Sequence, residues 1–360
     1  MDKKAPIIRV GVIGTGKFAD ECHIPCILSH PNAQIVAVCG ANAKLLAKKY
    51  SLPSAMNNYR ELCERDDIDA VTIASANSNH PDHAFAAMKN KKHVLCEKPL
   101  AVSVTQAELM ANIALKSNKI HFTAFTFRYN YGVRSLRTRI AAGEIGTPFF
   151  ARVQYDRWDR LAPSSSEQHR HHHQPFEPGM LENLGSHLFD ISRHVLGPIA
   201  SVIGHTMSIP SSGTKTTPPL SGSHAPDDLV SAWMRHTNGV HGQFFISRIT
   251  PPFAPLGYLE VVGTEGALKA SLSRGGVDFI KRSTPTAPEW IDLQLPPEAS
   301  LGKPTALRRM IHSYLDACIS GSLDPDIDAS FNDGLAAQYA MSSLMASQAY
   351  GMWTEVRAPS

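Results

Sequence analysis

Little in this sequence points to a polyanionic or a lipid partner. Its 35 Lys and Arg nearly balance 32 Asp and Glu, leaving a formal charge of +3 over 360 residues. No basic run interleaved with aromatics supplies the electrostatic footprint that nucleic acid binding needs. No apolar stretch approaches the roughly 20 residues that cross a bilayer. The N-terminus, Met1 to Pro6, is polar and leads straight into a strand, unlike a secretory signal. The six cysteines, Cys22, Cys26, Cys39, Cys63, Cys96 and Cys318, form no CxxC pair. Most lie in or beside apolar runs, as reduced buried thiols do. A reducing compartment follows, and a cytoplasmic protein is expected. Internal repeats are lacking as well.

What is present is an ordinary globular composition, 43% hydrophobic and 19% charged. At usual domain sizes the length suggests about two domains. Through residue 125, short apolar runs at 8–13, 34–39, 70–74, 93–95 and 121–124 alternate with helix-length segments. This alternation predicts an α/β, doubly wound parallel sheet over 1–125. Helices are expected at 81–90, with Pro81 in the first turn, and at 103–117, with Ser103 as cap and Gln106 three residues on. From Thr147 the pattern changes. Runs at 149–155, 229–236, 240–247, 258–262 and 267–272 follow one another, with turn residues such as Asn238-Gly239 between them. They predict an antiparallel sheet in an α+β domain over 126–360. Residues 157–178 and 210–226, rich in Ser, Pro, His, Thr and Gly, read as loops. Helices at 306–320 and 331–351 close the chain, the last expected to pack back on the protein.

The first strand ends in Gly14-Thr15-Gly16-Lys17-Phe18-Ala19, a GxGxxA turn opening a helix. Glycines let the backbone turn tightly and approach a pyrophosphate, which then sits at a helix N-terminus where unpaired amides favour negative charge. Alone the pattern is only a tight glycine turn. Between a strand and a helix, at the head of an alternating region, it predicts dinucleotide binding through Gly14, Gly16, Lys17 and Phe18. Sites for NAD usually carry an acid about 20 residues on, at the end of the second strand, for the ribose 2′-hydroxyl. Here that end reads Cys39-Gly40-Ala41-Asn42-Ala43-Lys44, without a carboxylate. Asn42 and Lys44 offer donors to a 2′-phosphate, so of NADP and NAD the reading leans to NADP.

At Glu97-Lys98-Pro99 the sequence resembles the glucose/fructose oxidoreductase, inositol dehydrogenase and rhizopine catabolism (Gfo/Idh/MocA) family. Segment 76–80, the helix from Asn183 to Leu196 and the closing Ser330-Phe331-Asn332-Asp333-Gly334 extend the likeness over nearly the whole chain. The resemblance implies a Rossmann domain followed by a domain with a large open antiparallel sheet, one face of which forms homo-oligomer contacts in a dimer or tetramer. It implies that Glu97 holds the nicotinamide-side ribose, that Lys98 points into the substrate pocket, and that Asn77 and His80 line the cofactor. It also implies an unusual, cis peptide before Pro99, against the trans form that is the rule for such bonds. Independently, a lysine fixed between a strand and a proline, at the carboxyl edge of a parallel sheet, stands where ligands of such folds bind.

On the helix over 181–196, Asn183, His187 and Asp190 are spaced i, i+4 and i+7, which places them on one face. Oxidising an alcohol requires a group that takes the hydroxyl proton, and histidine titrates near enough to neutrality to do so in both directions. A histidine on such a helix is otherwise a hydrogen-bonded structural residue. The family pattern, Asp-x-Gly-x-His-x-x-Asp, implies His187 as the acid/base, with Asn183 standing where the family has its first Asp. An amide binds a substrate hydroxyl but brings no charge to stabilise a protonated His187. Asp190 either orients substrate or caps local backbone. Arg128 with Tyr129, and Tyr155, Arg157 and Trp158, are weaker candidates for sugar contacts, with packing as the alternative. His169-Arg170-His171-His172-His173 is not read as a metal site, because consecutive histidines cannot all face one ion; it reads as a loop over the substrate.

The expected function is an NAD(P)-dependent oxidoreductase moving a hydride between the nicotinamide and a carbon of a sugar, sugar derivative or cyclitol. Lys98 polarises the oxygen, with His187 as acid/base and Asn183 beside it. Two rivals are a redox-neutral glycosidase or epimerase that oxidises transiently, and a dinucleotide sensor without catalysis.

Overall fold

The computed structural model describes residues 6–158, 179–209, 226–250, 257–272, 278–297 and 305–359. The chain divides into two compact units, one of Met1–Tyr129 with Lys303–Gln338, the other of Asn130–Gly302 with Tyr339–Ala358.

In the first unit the strands are β1 (Ile8–Ile13), β2 (Ala33–Cys39), β3 (Ala55–Met56), β4 (Ala70–Ile73), β5 (His93–Cys96) and β6 (His121–Thr123). They form a parallel sheet in the order β3-β2-β1-β4-β5-β6. Val10, Val12, Val71, Ile73, Val94 and Leu95 are fully buried, as expected of strands covered on both faces. β3, two residues long, is too short to leave a periodic signal and was not anticipated. The helices Val104–Leu115 and His80–Lys89 start as the caps predicted: Ser103 Oγ accepts from the Gln106 amide at 3.3 Å, and Pro81 sits in the first turn. The helix Thr305–Ser320 completes this core with Met310, Ile311, Tyr314 and Leu315. Tyr314 donates its buried hydroxyl to the Val71 carbonyl at 3.3 Å.

Strand order reverses between β1 and β4, and ligands of open α/β sheets bind at such a point, beyond the strands' carboxyl ends. Gly14 follows β1 there, Ser75 lies just beyond β4, and Glu97 follows β5.

The second unit carries β7 (Pro148–Asp156), β8 (Ile199–Met207), β9 (Leu229–His236), β10 (His241–Ser247), β11 (Gly257–Gly263), β12 (Gly266–Ser271), β13 (Ile280–Thr284), β14 (Ala287–Asp292) and β15 (Thr354–Glu355). Their order is β14-β13-β12-β11-β7-β10-β9-β8-β15. The sheet is antiparallel except that β7 and β10 run parallel, His241 opposite Phe150 and Ser247 opposite Asp156. This one parallel pair lies within the otherwise antiparallel sheet that the sequence predicts. The alternation of inward and outward side chains is the same in both directions, and β7 and β10 are joined by a long connection, which can deliver a strand either way. Between β9 and β10 the Asn238-Gly239 hairpin forms as predicted, Gly239 taking a φ of +88°. Phe189 of the helix Ser186–Leu196 stacks on Phe244 with centroids 4.4 Å apart, covering the inner face.

Two helical starts are wider than an α-helix. Ala19–His23 and Leu181–Gly185 are π-helical turns running into the helices Ile24–Leu28 and Ser186–Leu196. In the first, Pro25 has no amide to give the carbonyl four residues back, which breaks the α-helical ladder where the turn widens. The predicted loops at 157–178 and 210–226 lie almost wholly outside the described residues, as does the tract 169–173.

Candidate functional site

The glycine turn is built around two different demands. Gly14 has φ +113°, and a Cβ there would lie 2.3 Å from the Ala74 carbonyl oxygen. Only glycine fits. Gly16 is the reverse, since a Cβ on it would meet nothing within 4 Å. This open backbone, ahead of a helical start at Lys17, suits the close approach of a pyrophosphate to unpaired amides. Lys17 and Phe18 are exposed beside it. Asn42 braces the turn from the end of β2: its amide N–H donates to Thr15 Oγ1 at 3.0 Å and its Nδ2 to the Thr15 carbonyl at 3.3 Å. Thr15 fills the space beside Gly40, where a Cβ would lie 2.6 Å from Thr15 Oγ1. Sequence reasoning missed Thr15, whose part depends on that contact between two strand ends.

At the carboxyl end of β5 the backbone carries Glu97, Lys98 and Pro99, and the Lys98–Pro99 peptide is cis. Lys98 is half-buried, whereas Glu97 is only 8% exposed. Glu97 Oε1 lies 2.9 Å from Nε2 of the fully buried His23, and Oε2 accepts the Lys98 amide at 3.3 Å. Burial alone would raise the Glu97 carboxyl. The hydrogen bond from His23, with the Lys98 ammonium nearby, outweighs it, holding the group below the usual carboxylate range. His23 was not singled out in the sequence, because nothing in a helix-forming segment marks which buried carboxylate a histidine will meet.

His80 lies entirely inside the unit. Its Nδ1 is 2.9 Å from the Pro99 carbonyl and its Nε2 3.3 Å from the Ser75 carbonyl, and burial depresses its pKa. It thus ties Pro99 to the end of β4. Asn77 stands in the short turn Asn77–Asn79 just before it, half-buried. The closing motif packs on the same segment. Ser330 donates through its amide and hydroxyl to Asp333 Oδ2 at 2.7 and 2.8 Å, and a Cβ on Gly334 would lie 2.9 Å from Leu100 Cβ. Arg128, 3% exposed, donates to Asp333 Oδ1 at 2.9 Å and to the Asp328 carbonyl at 3.1 Å. Tyr129 donates its hydroxyl to Asp328. Arg128 and Tyr129 are thus both hydrogen-bonded inside the unit.

In the second unit, Asn183 lies in the wide turn and is half-buried, while His187 and Asp190 are 2% and 1% exposed on the regular helix. His187 and Asp190 share a face at i, i+3. Asn183 stands four residues before His187, inside the wide turn that leads into the helix. The wide turn is anchored by Asp227, whose Oδ2 accepts the Leu181 amide at 2.8 Å and whose carbonyl accepts the Met180 amide at 2.9 Å. Burial pushes the Asp227 carboxyl up to about 6, against the lowering effect of the Leu181 amide and Arg248. Sequence reasoning missed Asp227 too, which falls between the loop read at 210–226 and the strand read at 229–236. Tyr155 is buried with its ring against Gly257, while Trp158 is 44% exposed. Among the described residues no group of three or more His, Cys, Asp or Glu side chains is arranged to hold a metal ion. No helix there is long and apolar enough to cross a membrane.

Residues 8–125 match a family model described as an oxidoreductase family with an NAD-binding Rossmann fold, and residues 133–269 match the GFO/IDH/MocA C-terminal domain. The chain is 29% identical over 266 residues to a 1,5-anhydro-D-fructose reductase of Ensifer adhaerens, covering 72% of this chain and 74% of that protein. It is 26% identical over 265 residues to a scyllo-inositol 2-dehydrogenase (NAD(+)) of Bacillus subtilis (strain 168), covering 72% and 73%. A levoglucosan dehydrogenase solved with NADH and levoglucosan has the same fold, with a TM-score of 0.80 at 23% identity over 97% of this chain and 99% of that one. With both halves of the pattern matched, from the glycine turn to the second sheet, the chain belongs to the Gfo/Idh/MocA family and is an oxidoreductase with an NAD-binding Rossmann domain.

Proposed function

We propose that this oxidoreductase interconverts a secondary alcohol and a ketone on a sugar, sugar derivative or cyclitol. The observation that carries this is the pairing, in one unit, of an open glycine turn with the Glu97-Lys98-cis-Pro99 segment. The anhydro-sugar and inositol activities named for its relatives support the substrate class. The chemistry a nicotinamide supplies when bound is hydride exchange with the alcohol carbon.

The chain's own groups supply position and proton handling. Gly14, Gly16, Lys17, Phe18 and Asn42 form or flank the pyrophosphate and adenosine end, and Asn77, His80, Glu97 and Lys98 the nicotinamide end. Lys98 donates a hydrogen bond to the substrate oxygen, stabilising negative charge on it. His187 takes the hydroxyl proton in oxidation and returns it in reduction, an exchange that histidine supports near neutral pH. Asn183 and Asp190 bind substrate hydroxyls, and Tyr155 is a weaker candidate for such a contact. NADP is preferred over NAD, because β2 ends without an acid to repel a 2′-phosphate and Lys44 is exposed near that end.

A homo-oligomer, dimer or tetramer, in the cytoplasm completes the proposal. Its supports are the half-exposed Trp233 on the outer sheet face and the free, buried thiols of Cys26, Cys39 and Cys63, which burial pushes up to about 12, 11 and 12.

The test is a nicotinamide absorbance screen of sugars, cyclitols and keto-sugars with NAD and NADP in both directions, beside a Lys98→Ala, His187→Ala double variant. Activity that disappears in the variant is the expected result. Turnover without net redox would move the assignment to an epimerase or glycosidase. Dinucleotide binding with no turnover on any substrate would move it to a sensor.

A further inference from the structure

The hydride chemistry makes no use of His23, yet this residue occupies a telling place. It closes the wide turn Ala19–His23 that follows the glycine turn, and its ring meets the edge of Phe18 with centroids 5.4 Å apart. Across the unit its Nε2 reaches Glu97, while its Nδ1 has no hydrogen-bond partner among the described residues. A proton on Nε2 satisfies Glu97 and leaves only a lone pair unpaired on Nδ1, whereas a proton on Nδ1 would strand a donor and set a lone pair against a carboxylate. The local geometry therefore selects the Nε2–H tautomer.

Resting on the reading of Glu97 as a cofactor-binding group, we propose that His23 is a positioning residue for the dinucleotide. It donates Nε2–H to Glu97, holds that carboxylate ionised in one orientation, and couples the helical start after the glycine turn to the nicotinamide end. The titratable groups that face Glu97 are His23, Lys98 and His80, with the buried Cys96 thiol next to it in sequence. Of these, His23 alone hydrogen-bonds the Glu97 carboxylate through a side chain from a different element. Removing it leaves burial less opposed, so Glu97 protonates at a higher pH and binding that needs the carboxylate weakens as the pH falls.

Titration of the full chain with NADH and NADPH by calorimetry, from mildly acid to mildly alkaline pH, tests this with His23→Leu and His23→Gln. Leucine is expected to raise Kd about tenfold or more, as truncating one partner of a buried charged hydrogen bond does. It should also introduce a loss of affinity toward acid pH that the parent chain lacks. Glutamine, whose amide donor stands in for Nε2–H, is expected to restore most of the affinity and the flat profile. A leucine variant with the parent's Kd and pH profile would overturn the inference. So would leucine and glutamine variants weakened alike with unaltered profiles, the pattern of a packing role. Where leucine lowers the melting temperature too far to titrate, the glutamine profile decides. A parent chain that binds neither dinucleotide would overturn the cofactor reading itself, a result distinct from either of those.

Discussion

Gly14 and Gly16 are two positions apart and are glycine for opposite reasons. At Gly14 the backbone is left-handed and the Ala74 carbonyl occupies the space of a side chain; at Gly16 the φ is ordinary and the space is open. Gly14→Ala is expected to lose about 2 kcal/mol or more of stability, seen as a lower melting temperature, because backbone must move to admit the methyl. Gly16→Val is expected to keep the parent's melting temperature while weakening dinucleotide binding, since its side chain would stand where the pyrophosphate approaches. Equal melting temperatures for the two variants would refute this division of roles. At the same scale, Arg128 and Tyr129 show what a residue type alone leaves open. Both suit a sugar, and inside the unit Arg128 donates to Asp333 and the Asp328 carbonyl while Tyr129 donates to Asp328.

Among the elements, the helix bearing His187 is distinguished by its start. A wide turn is held by the half-buried carboxylate of Asp227, whose pKa desolvation raises from 3.8 to about 6. A carboxyl raised in the folded state binds its proton more tightly there than in the unfolded chain. Its contribution to stability is therefore complete below the unfolded value and lost as the pH rises through about 6. Asp227→Asn keeps an acceptor for the Leu181 amide and removes the titration. Its melting temperature is expected to match or exceed the parent's by a few degrees at neutral pH, with the decline between mildly acid and neutral pH flattened. A parent-like pH dependence in the variant would show that Asp227 is not the titrating group.

For the whole molecule, register across the second sheet lines up Ile203, Trp233, Gln243, Arg152, Glu260, Lys269, Lys281 and Asp292 in one row. Arg152 donates to Gln243 at 2.9 Å, and Lys269 pairs with Glu260 at 2.6 Å. At the other end of the row Trp233 is 46% exposed, its ring 6.2 Å from that of Phe150. If this face joins copies of the chain, light scattering will return a mass above 39.2 kDa, and Trp233→Glu will shift it toward the single chain. A parent chain that scatters as a monomer at every concentration would refute the oligomer.

The sequence by itself determined what depends on local pattern. Apolar runs of strand length alternating with helices made the first sheet parallel, Ser103 and Pro81 set helix starts, and the order of glycines after β1 placed the dinucleotide turn. The family was legible because the neighbours of Glu97, Lys98 and His187 form recognisable motifs. Only the tertiary structure decided what depends on residues far apart in the chain: that β7 pairs parallel with β10, that Arg128 turns inward, that Asp227 anchors a wide turn, and that His23 meets Glu97 74 positions on. A strand's alternation does not encode its direction, and a titratable side chain does not encode its partner. Both are settled only when packing removes water and leaves each buried polar group the neighbours it must satisfy.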